Sequence, residues 1–271
     1  MLTTLSEAVK LVRPGDMLAL GGTTLYRRPV AFVRELLRQG VDRLTLLELT
    51  SGFESDLLVG AGRVSCVRTC YFGLEAFGLA PMFTRLAGRG AFTIMEETEG
   101  SIAFGLRATE ALVGFMPGRA WLGTDMFKVR PDVKMVQDPY SGEMLPAFPA
   151  IRPDVAVIHV PVADREGNAA VFINKAYDRE LGLTADRLIV TTERIVERFQ
   201  DLGSEIDILG RRVAALVHAP GGARPTSCYP DYPLDSLAIM DYVEACNRGE
   251  FEHYLEQFVH KSDHESNHGS D

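Results

Sequence analysis

The feature that most constrains the fold is a series of short apolar runs that are rich in β-branched residues. Residues 155–162, VAVIHVPV, form the strongest of these runs, with His159 as the single polar side chain. A strand without polar alternation is buried on both faces, which is typical of a mostly parallel sheet covered by helices. Five other runs are predicted as strands of the same sheet: 44–49, 64–72, 92–95, 188–192 and 213–218.

Helical patterns alternate with these strands, which indicates an α/β fold. Residues 193–199 directly follow a predicted strand and carry a helix pattern. Residues 233–260 are expected to form two helices that pack on the sheet. The chain has 271 residues, of which 46% are hydrophobic, so it can build a sizeable core in one large domain or two small ones.

A tight glycine turn joins a predicted strand to a predicted helix near the start of the chain. The apolar run 17–20 ends in the sequence GGTT at 21–24, and Pro29 opens a segment with helical spacing of its apolar residues. Because glycine has no Cβ, backbone N–H groups of such a turn can approach an anion or a carbonyl oxygen. We therefore expect a functional loop here. The neighbouring Arg27 and Arg28 either hold an anion or are solvated residues at the start of a helix.

The charge balance and the cysteines argue against several classes of protein. A net charge of −9 disfavours nucleic acid or an anionic membrane as the main partner. No apolar run approaches the ~20 residues that span a bilayer, and the N-terminus does not resemble a signal peptide, so we expect a cytoplasmic protein. Cys66 and Cys70 are predicted to be core thiols. No metal site is expected, because the four cysteines lack zinc-site spacing: Cys66, Cys70, Cys228 and Cys246.

The last residues, 261–271, are polar, lack a core pattern and are expected to be disordered. Histidines recur every four residues at this end of the chain, at His260, His264 and His268. Their neighbours do not favour a stable helix. Ordinary tail histidines are therefore expected rather than a metal site.

Two polar clusters follow predicted strands and are candidates for catalysis or binding. The acidic cluster 96–99, EETE, follows the run 92–95, and ligand crevices of open α/β sheets lie at the carboxyl ends of strands. Like charges can raise the pKa of one carboxyl toward a value that is useful in acid–base chemistry. A solvated acidic loop is the alternative. The second cluster, GTD at 123–125, is predicted as a strand-end loop that caps a helix, binds a polar ligand group or only turns.

The motifs of common nucleotide and serine enzymes are absent from the sequence. There is no Walker A motif, no complete dinucleotide-binding glycine pattern and no G-x-S-x-G elbow. His159 is expected to be a core histidine with its hydrogen bonds satisfied. Glu166 lies in a predicted hairpin turn, 163–168, and is expected to be solvated.

A set of motifs nevertheless resembles the A subunit of family I coenzyme A transferases of the glutaconate CoA-transferase type. The resemblance runs from about Thr4 to about His260, and the order and spacing of the motifs make it specific. The motifs are GDMLALGG before Arg28 and Pro29, then RQGVDRLTLLELTSG, DLLVGAGRV, EAFGLAPMFTRL, MPGRAWLGTD, VPVADREGNA and GGARPTSCYPDYPLD.

This resemblance implies one domain, residues 1–260, folded as a three-layer α/β/α sandwich with a mostly parallel central sheet. It implies an enzyme of A and B subunits with the active site between them, a CoA thioester as substrate and no permanently bound cofactor. In this family the thioester is attacked by a glutamate of the B subunit. The B-subunit motif Ser-Glu-Asn-Gly does not occur here, so this chain is expected to supply loops and part of the acyl pocket. The residues expected to bind substrate or an oxyanion are Gly21, Gly22, Thr23, Arg28, Thr50, Ser51, Gly52, Gly123 and Thr124.

Two alternatives to a transferase subunit remain open at this stage. Some A–B pairs resemble steroid-ring-cleaving CoA hydrolases, in which the catalytic glutamate belongs to the A subunit. The cluster 96–99 falls near that position, so Glu97 or Glu99 is the candidate catalytic acid of this alternative. The other alternative is a non-catalytic scaffold subunit. Arg224 stands where the family commonly has a histidine before PTS, and it is expected either to be structural or to contact an anionic group.

Overall fold

A computed structural model describes residues 2–198, 200 and 205–260 of the chain. The predicted disordered tail, 261–271, lies outside the described residues. The strands are β1 (Leu2–Thr3), β2 (Met17–Leu20), β3 (Leu44–Ser51), β4 (Val64–Phe72), β5 (Thr93–Glu96), β6 (Phe115–Pro117), β7 (Lys134–Gln137), β8 (Met144–Pro149), β9 (Val155–Asp164), β10 (Ala169–Ala170), β11 (Arg187–Val196) and β12 (Val213–His218). The α-helices are α1 (Leu5–Val9), α2 (Val30–Gln39), α3 (Phe53–Gly60), α4 (Pro81–Ala87), α5 (Glu99–Glu110), α6 (Met126–Val129), α7 (Asp178–Thr184), α8 (Ser236–Asn247) and α9 (Phe251–His260).

The central sheet has nine strands and is almost entirely parallel. Its order is β1-β12-β11-β9-β2-β3-β4-β5, and only the short β10 pairs antiparallel, with the end of β9. β2 and β9 are neighbours at the centre of the sheet. On one side of them the strands follow in the chain order β3, β4 and β5, and on the other side in the order β11 and β12. The connections on the two sides therefore lead away from each other, and a crevice opens at the carboxyl ends of this pair.

Helices cover both faces of the sheet, as strands buried on both sides require. Successive residues of β2 point to opposite faces. Leu18 and Leu20 pack with residues of α1–α4, α8 and α9, whereas Ala19 packs with residues of α5 and α7. The predicted three-layer sandwich is therefore confirmed. No helix in the described part of the chain is both long and apolar enough to cross a bilayer.

The local predictions around the glycine turn are confirmed. β2 occupies the predicted residues, β4 and β12 have the predicted bounds, and α2 follows the turn after Pro29. The apolar residues that predicted α2 are all buried in it: Val30, Phe32, Val33, Leu36 and Leu37. The C-terminal pair of helices and the β9–β10 hairpin also form as expected.

The helix predicted at 193–199 is wrong, because β11 continues through Val196. Its last residues pair with β9, where Arg194 lies opposite Val162 and Val196 opposite Asp164. The helical spacing of apolar residues in this segment was outweighed by main-chain hydrogen bonds to an existing strand. This extension places Glu193 inside the sheet rather than on a helix.

A small antiparallel sheet, in the order β6-β8-β7, lies beside the main one and was not predicted. One side of it contributes Phe148 to an apolar cluster with Trp121 and Val133. Phe115, Val136 and Leu145 line a shallow apolar groove, in which Phe115 is 43% exposed. An antiparallel sheet with a solvated face usually carries polar residues there, so this apolar groove is a distinctive part of the surface.

The fold predicts that Gly52→Ala destabilises the chain strongly. A Cβ at Gly52 would lie 1.8 Å from the main-chain oxygen of Thr24, so the β3–α3 junction and the glycine turn would have to separate. We expect the free energy of unfolding in urea to fall by about 3 kcal/mol or more. Gly88→Ala is the control, since Gly88 has helical φ of −61° and its Cβ would meet nothing closer than 3.6 Å. Equal effects of the two substitutions would contradict this packing.

Candidate active site

The glycine turn, residues 21–24, borders a narrow cleft that residues of β2, β3, α5 and α7 line. Gly22 has a φ of 79°, a left-handed value that favours glycine. Gly21 has no room for a side chain, because a Cβ there would lie 2.7 Å from Asp178 Oδ1. The turn therefore packs tightly against the start of α7, where Asp178 is located.

Every N–H group of this turn already has an acceptor within the chain, and two of the acceptors are side chains. The bonds are Gly21 N–H to Val157 O (2.9 Å), Gly22 N–H to Asp178 Oδ1 (2.9 Å), Thr23 N–H to Tyr26 O (2.9 Å) and Thr24 N–H to Thr50 Oγ1 (3.0 Å). The oxyanion contacts expected at the turn stay predictions. A substrate oxygen would have to take over one of these bonds.

Arg28 lies inside the protein, so the expectation of a solvated arginine is wrong. Its side chain is 0% exposed and forms ion pairs with Glu48 and Glu54. Its Nε donates to Glu54 Oε1 at 2.7 Å, and Nη1 donates to the main-chain oxygen of Thr50 at 3.3 Å. Arg28 therefore holds β3 and α3 against the glycine turn and has no surface left for a ligand.

Two buried carboxylates share this one arginine. Burial and the nearby charge of Glu54 together raise the pKa of Glu48 to about 7, although the positive charge of Arg28 lowers it. Ser55 donates its hydroxyl to Glu48 Oε1 at 2.6 Å, whereas Glu54 Oε2 is buried without a hydrogen-bond partner. The cluster therefore retains a proton near neutral pH that an exposed glutamate would have lost.

The strand-end loop predicted at 50–52 is wrong in part, because Thr50 and Ser51 are the last residues of β3 and only Gly52 lies between β3 and α3. These residues lie directly beside the glycine turn. Thr50 accepts the Thr24 N–H through its hydroxyl, and Gly52 packs on the Thr24 main chain. Ser51 instead is fully buried and donates its hydroxyl to Thr69 Oγ1 on β4 at 3.2 Å. The structure thus brings Thr50 and Gly52 against the glycine turn, whereas Ser51 points into the sheet.

Glu97 is held between two arginines. Its side chain is 1% exposed, and its Oε1 lies 2.7 Å from both Arg68 Nε and Arg130 Nη1. Its Oε2 accepts the hydroxyl of Ser101 at 2.5 Å. These contacts join β4, α5 and the segment before β7. The geometry is that of a structural ion pair, since both oxygens of the carboxylate are occupied.

Glu99 is the acid of the cluster that the structure brings toward the glycine turn. It is exposed at the first position of α5, and its main-chain oxygen accepts the hydroxyl of Tyr177 at 2.9 Å. Tyr177 lines the same narrow cleft as Gly21 and Gly22. Burial raises the pKa of the neighbouring Cys70 to about 11, and the charge of Glu99 adds to this effect, so the thiol stays protonated at neutral pH.

Gly123 and Thr124 lie in the segment between β6 and α6, and this segment contacts the start of α5 where Trp121 Nε1 donates to Thr98 Oγ1 at 3.0 Å. The segment before them is not a strand, which corrects the prediction of a strand-end loop there. Trp121 is instead buried beside Phe148 of the small sheet, so the chain turns at this point. The two predicted residues form an exposed turn before α6, where the Thr124 hydroxyl donates to the Trp121 main chain at 2.8 Å. Glu166 is exposed in its hairpin turn, as predicted.

His159 is a buried histidine with both ring nitrogens bonded, as predicted. Nδ1 lies 2.8 Å from Thr191 Oγ1, and Nε2 lies 2.7 Å from Glu193 Oε1. Glu193 also accepts the N–H of Gly221 at 2.6 Å and the hydroxyl of Tyr232. Sequence reasoning missed Glu193 as a partner because it assigned that residue to a helix.

The same network contains the potential metal ligands found in the described part of the chain: His159, Glu193 and Cys228, whose donor atoms lie within 4.8 Å of one another. The 2.7 Å between His159 Nε2 and Glu193 Oε1 is a hydrogen-bond distance. It is shorter than the roughly 3.4 Å expected between two ligands around tetrahedral zinc. Burial raises the pKa of Cys228 to about 12, so its thiol is neutral. These donors fit a hydrogen-bonded network better than a metal site.

Arg224 packs on this network. Its guanidinium carbon lies 4.4 Å from the centre of the Tyr232 ring, and the Tyr232 hydroxyl donates to Glu193. Such stacking of a cation on an aromatic face is a structural contact. The structural role expected for Arg224 therefore has a physical basis.

The family model and the similar sequences point to the same family. Residues 2–219 match the family model described as coenzyme A transferase. The A subunit of 3-oxoadipate CoA-transferase from Pseudomonas knackmussii is 34% identical over 95% of this chain and 93% of that protein. The cholesterol ring-cleaving hydrolase IpdA subunit of Mycobacterium tuberculosis is 33% identical over 95% of this chain and 91% of that protein. The chain belongs to the coenzyme A transferase family.

Solved structures share the fold closely. Glutaconate coenzyme A-transferase from Acidaminococcus fermentans matches with a TM-score of 0.87 and 29% identity, covering 95% of this chain and 88% of that one. A variant of the decarboxylase AibA/AibB matches with a TM-score of 0.90 and 28% identity, covering 96% and 98%. Because a transferase and a decarboxylase share this fold, the reaction has to be argued from the site.

The Arg28 cluster predicts a specific pH dependence of stability. The pKa of Glu48 is raised from 4.5 to about 7 in the folded chain. The folded state therefore holds this proton more tightly than the unfolded chain does. The stability that the bound proton contributes is lost as the pH rises from 4.5 to about 7. Glu48→Gln should flatten this slope by at most about 1.4 kcal/mol per pH unit. Urea unfolding at pH 5, 6, 7 and 8 measures the difference between the two proteins.

Glu54→Gln provides a second arm for this test. This substitution removes the negative charge of Glu54, so that Glu48 is the one carboxylate paired with Arg28. The pH range over which stability falls should therefore move to lower pH. Wild-type and Glu48→Gln chains with parallel stability curves from pH 5 to 7 would refute a shared proton in the cluster.

Proposed function

We propose that this chain is the A subunit of a heteromeric CoA-transferase. With a B subunit it moves CoA from an acyl-CoA thioester to a small or dicarboxylic acid, and it has no permanently bound cofactor. The proposal places the enzyme in the cytoplasm, which the four free cysteines support. The similarity to the 3-oxoadipate and glutaconate CoA-transferase subunits supports the reaction class.

The observation that carries the proposal is the state of the acids around the crevice. Glu48, Glu54 and Asp178 are buried and paired with arginines, and Glu97 lies between two more. A carboxylate that serves as a nucleophile needs a free lone pair directed at the thioester carbonyl. These four acids are already paired with arginines, which supports a nucleophilic glutamate on the partner subunit.

The proposed reaction exchanges bonds at one carbonyl carbon at a time. The partner's glutamate forms a C–O bond to the acyl carbon, the C–S bond breaks, and CoA leaves as its thiolate. The thiolate then attacks the glutamyl carbonyl of the anhydride, which gives a glutamyl–CoA thioester and the free acid. The acceptor carboxylate reverses these two steps. This chain contributes the wall of the site formed by the glycine turn and residues 50–52, where a developing oxyanion takes over one of the N–H groups that are bonded within the chain in the free protein.

The apolar groove of the small sheet supports a hetero-oligomer. Exposed apolar surface of this kind is typical of protein interfaces. Leu112 and Tyr140 lie near this groove, and their side chains are 93% and 98% exposed. The isolated chain is therefore expected to self-associate or to be poorly soluble without its partner.

The direct test is to purify this chain together with the product of the adjacent gene and to measure CoA exchange with acetate as acceptor. We expect acyl-CoA turnover only when the acceptor is present. We also expect a borohydride-sensitive glutamyl–CoA thioester on the partner, located by peptide mass spectrometry. The two separated subunits serve as controls and should each be inactive.

Turnover of acyl-CoA without any acceptor would overturn the transferase. So would a thioester adduct on this chain instead of the partner. A well-behaved monomer with no partner encoded nearby would remove the basis for the heteromeric enzyme.

One observation favours a second function, the hydrolase of the steroid-degrading type. Glu99 is exposed beside Tyr177 at the mouth of the cleft that Gly21 and Gly22 line. An exposed carboxylate there is free to act as a base toward water or substrate. The similarity to a cholesterol ring-cleaving hydrolase subunit gives this alternative its substrate class, a ring derived from cholesterol. A non-catalytic scaffold is the third candidate.

Two isosteric substitutions separate these functions. Under the transferase proposal, Glu99→Gln should leave CoA transfer within about threefold. Under the hydrolase alternative it should reduce acceptor-independent hydrolysis at least about 100-fold, the usual contribution of general acid–base catalysis. Glu97→Gln is the contrasting variant, because it breaks a buried ion pair and should lower the free energy of unfolding by about 3 kcal/mol or more.

A scaffold predicts a different result. Substitutions in the glycine turn that leave the complex assembled would then also leave its turnover intact, which steady-state kinetics of the purified complex would show.

A further inference from the structure

Asp178 and Arg27 form a buried ion pair directly behind the glycine turn. Arg27 Nη1 lies 2.8 Å from Asp178 Oδ2, and the two side chains are 0% and 1% exposed. The other carboxylate oxygen, Oδ1, accepts the N–H of Gly22 at 2.9 Å. One carboxylate thus joins the main chain of the turn to a fixed positive charge, in surroundings where such bonds are strong.

Arg27 extends this connection to two other segments. Its Nη1 donates to the main-chain oxygen of His159 at 2.9 Å, and its Nη2 donates to that of Asn174 at 2.8 Å. The middle of β9, the segment 172–176 and the glycine turn therefore share one guanidinium. The side chain is also flanked by the ring of Tyr26, whose centre lies 5.1 Å from its guanidinium carbon.

The segments held in this way carry concentrated backbone strain. Five residues other than glycine have left-handed φ values around this ion pair: Thr24 (39°), Arg27 (52°), Phe172 (63°), Asn174 (50°) and Ala176 (45°). Such conformations persist only where the surrounding structure fixes them, and they are concentrated at functional sites. The contacts of Arg27 and Asp178 are the ones that fix both strained segments.

The strained segment also carries side chains to the rim of the crevice. Asn174 Oδ1 accepts the hydroxyl of Thr23 at 3.2 Å, and the apolar side chain of Ile173 is 62% exposed. A shift of the segment would therefore move the glycine turn and the rim together.

We propose that Arg27 and Asp178 are positioning residues of the enzyme, which lock the glycine turn and the segment 172–176 into one rigid wall of the acyl-CoA site. Asp178 borders the narrow cleft but is only 1% exposed, and Arg27 is fully buried, so both act through the turn rather than through direct contact with substrate. The main chain of the wall is fixed before the substrate binds, so its position is set ahead of the reaction. The kinetic part of this inference rests on the proposed CoA-transferase function.

A series of substitutions at one position isolates the two contacts of Asp178. Asp178→Asn keeps an oxygen for the Gly22 N–H but removes the charge that pairs with Arg27. Asp178→Ala removes both. We expect kcat of the assembled complex to fall about 100-fold for alanine, the cost of a misplaced reacting group, and to a lesser extent for asparagine. KM for acyl-CoA should stay within about threefold, since no substrate contact is lost.

Asp56→Asn is the matched control on the opposite layer of the sandwich. Asp56 is also a fully buried aspartate, and it accepts the N–H groups of Met82 and Phe83 and the hydroxyl of Tyr242. Its substitution should lower the melting temperature without changing kcat below that temperature. A general loss of stability would reduce kcat in both variants, whereas a positioning role reduces it only at Asp178.

Hydrogen exchange provides a readout that does not depend on activity. The amide of Gly22 should exchange at least about tenfold faster in Asp178→Ala than in wild type, while Asp178→Asn and Asp56→Asn retain its protection. Arg27→Lys is the second variant if Asp178→Ala does not fold. It should loosen the segment 172–176 in the same measurement.

The two readouts distinguish a failed inference from a failed function. A wild-type complex without CoA transfer would refute the proposed function, and the exchange of Gly22 would still decide whether Asp178 fixes the turn. An active wild type, with kcat for Asp178→Ala within threefold of it, would overturn the positioning role. Unchanged Gly22 exchange in Asp178→Ala would overturn it as well.

Discussion

The buried guanidinium of Arg28 is the contact on which the rest of the site depends. It stands between Glu48 of β3 and Glu54 of α3, and its main chain belongs to the segment that follows the glycine turn. Removing an ion pair from water is costly, and breaking one already buried costs more still. The three elements are therefore held in one arrangement. The same burial raises the pKa of Glu48, so the stability of this arrangement depends on the protonation of the cluster.

The sheet topology explains why this rigid cluster lies at a binding crevice. The connections diverge from β2 and β9, and ligands of open α/β sheets commonly bind at the carboxyl ends of such a pair. Arg28 fixes the β2–β3 side of this crevice, and Arg27 with Asp178 fixes the β2–β9 side. Two neighbouring arginines in the sequence thus stabilise the two halves of the crevice from opposite directions. The turn between the halves needs glycine because both halves approach it closely.

The sequence predicted the parts of this structure that depend on local patterns. The apolar runs located the parallel strands, and the run before GGTT located the turn at the functional crevice. The burial of Arg27 and Arg28 could not be predicted in the same way, because their partners lie far along the chain: Glu48, Glu54, His159, Asn174 and Asp178. The helix predicted from Glu193 failed for a related reason. Pairing with β9, a non-local interaction, overrode a local helical spacing.

This chain is suited to be one half of an enzyme because the buried acids around its crevice are paired with arginines. A site that commits its buried carboxylates to arginines gains a fixed shape but loses them as nucleophiles or bases. The exposed Glu99 lies at the rim and not on the rigid wall. Covalent chemistry at a thioester requires a carboxylate that can approach and leave the carbonyl carbon, whereas oxyanion stabilisation requires groups that do not move. These opposite demands are met most simply when one subunit supplies the rigid wall and another supplies the reactive carboxylate.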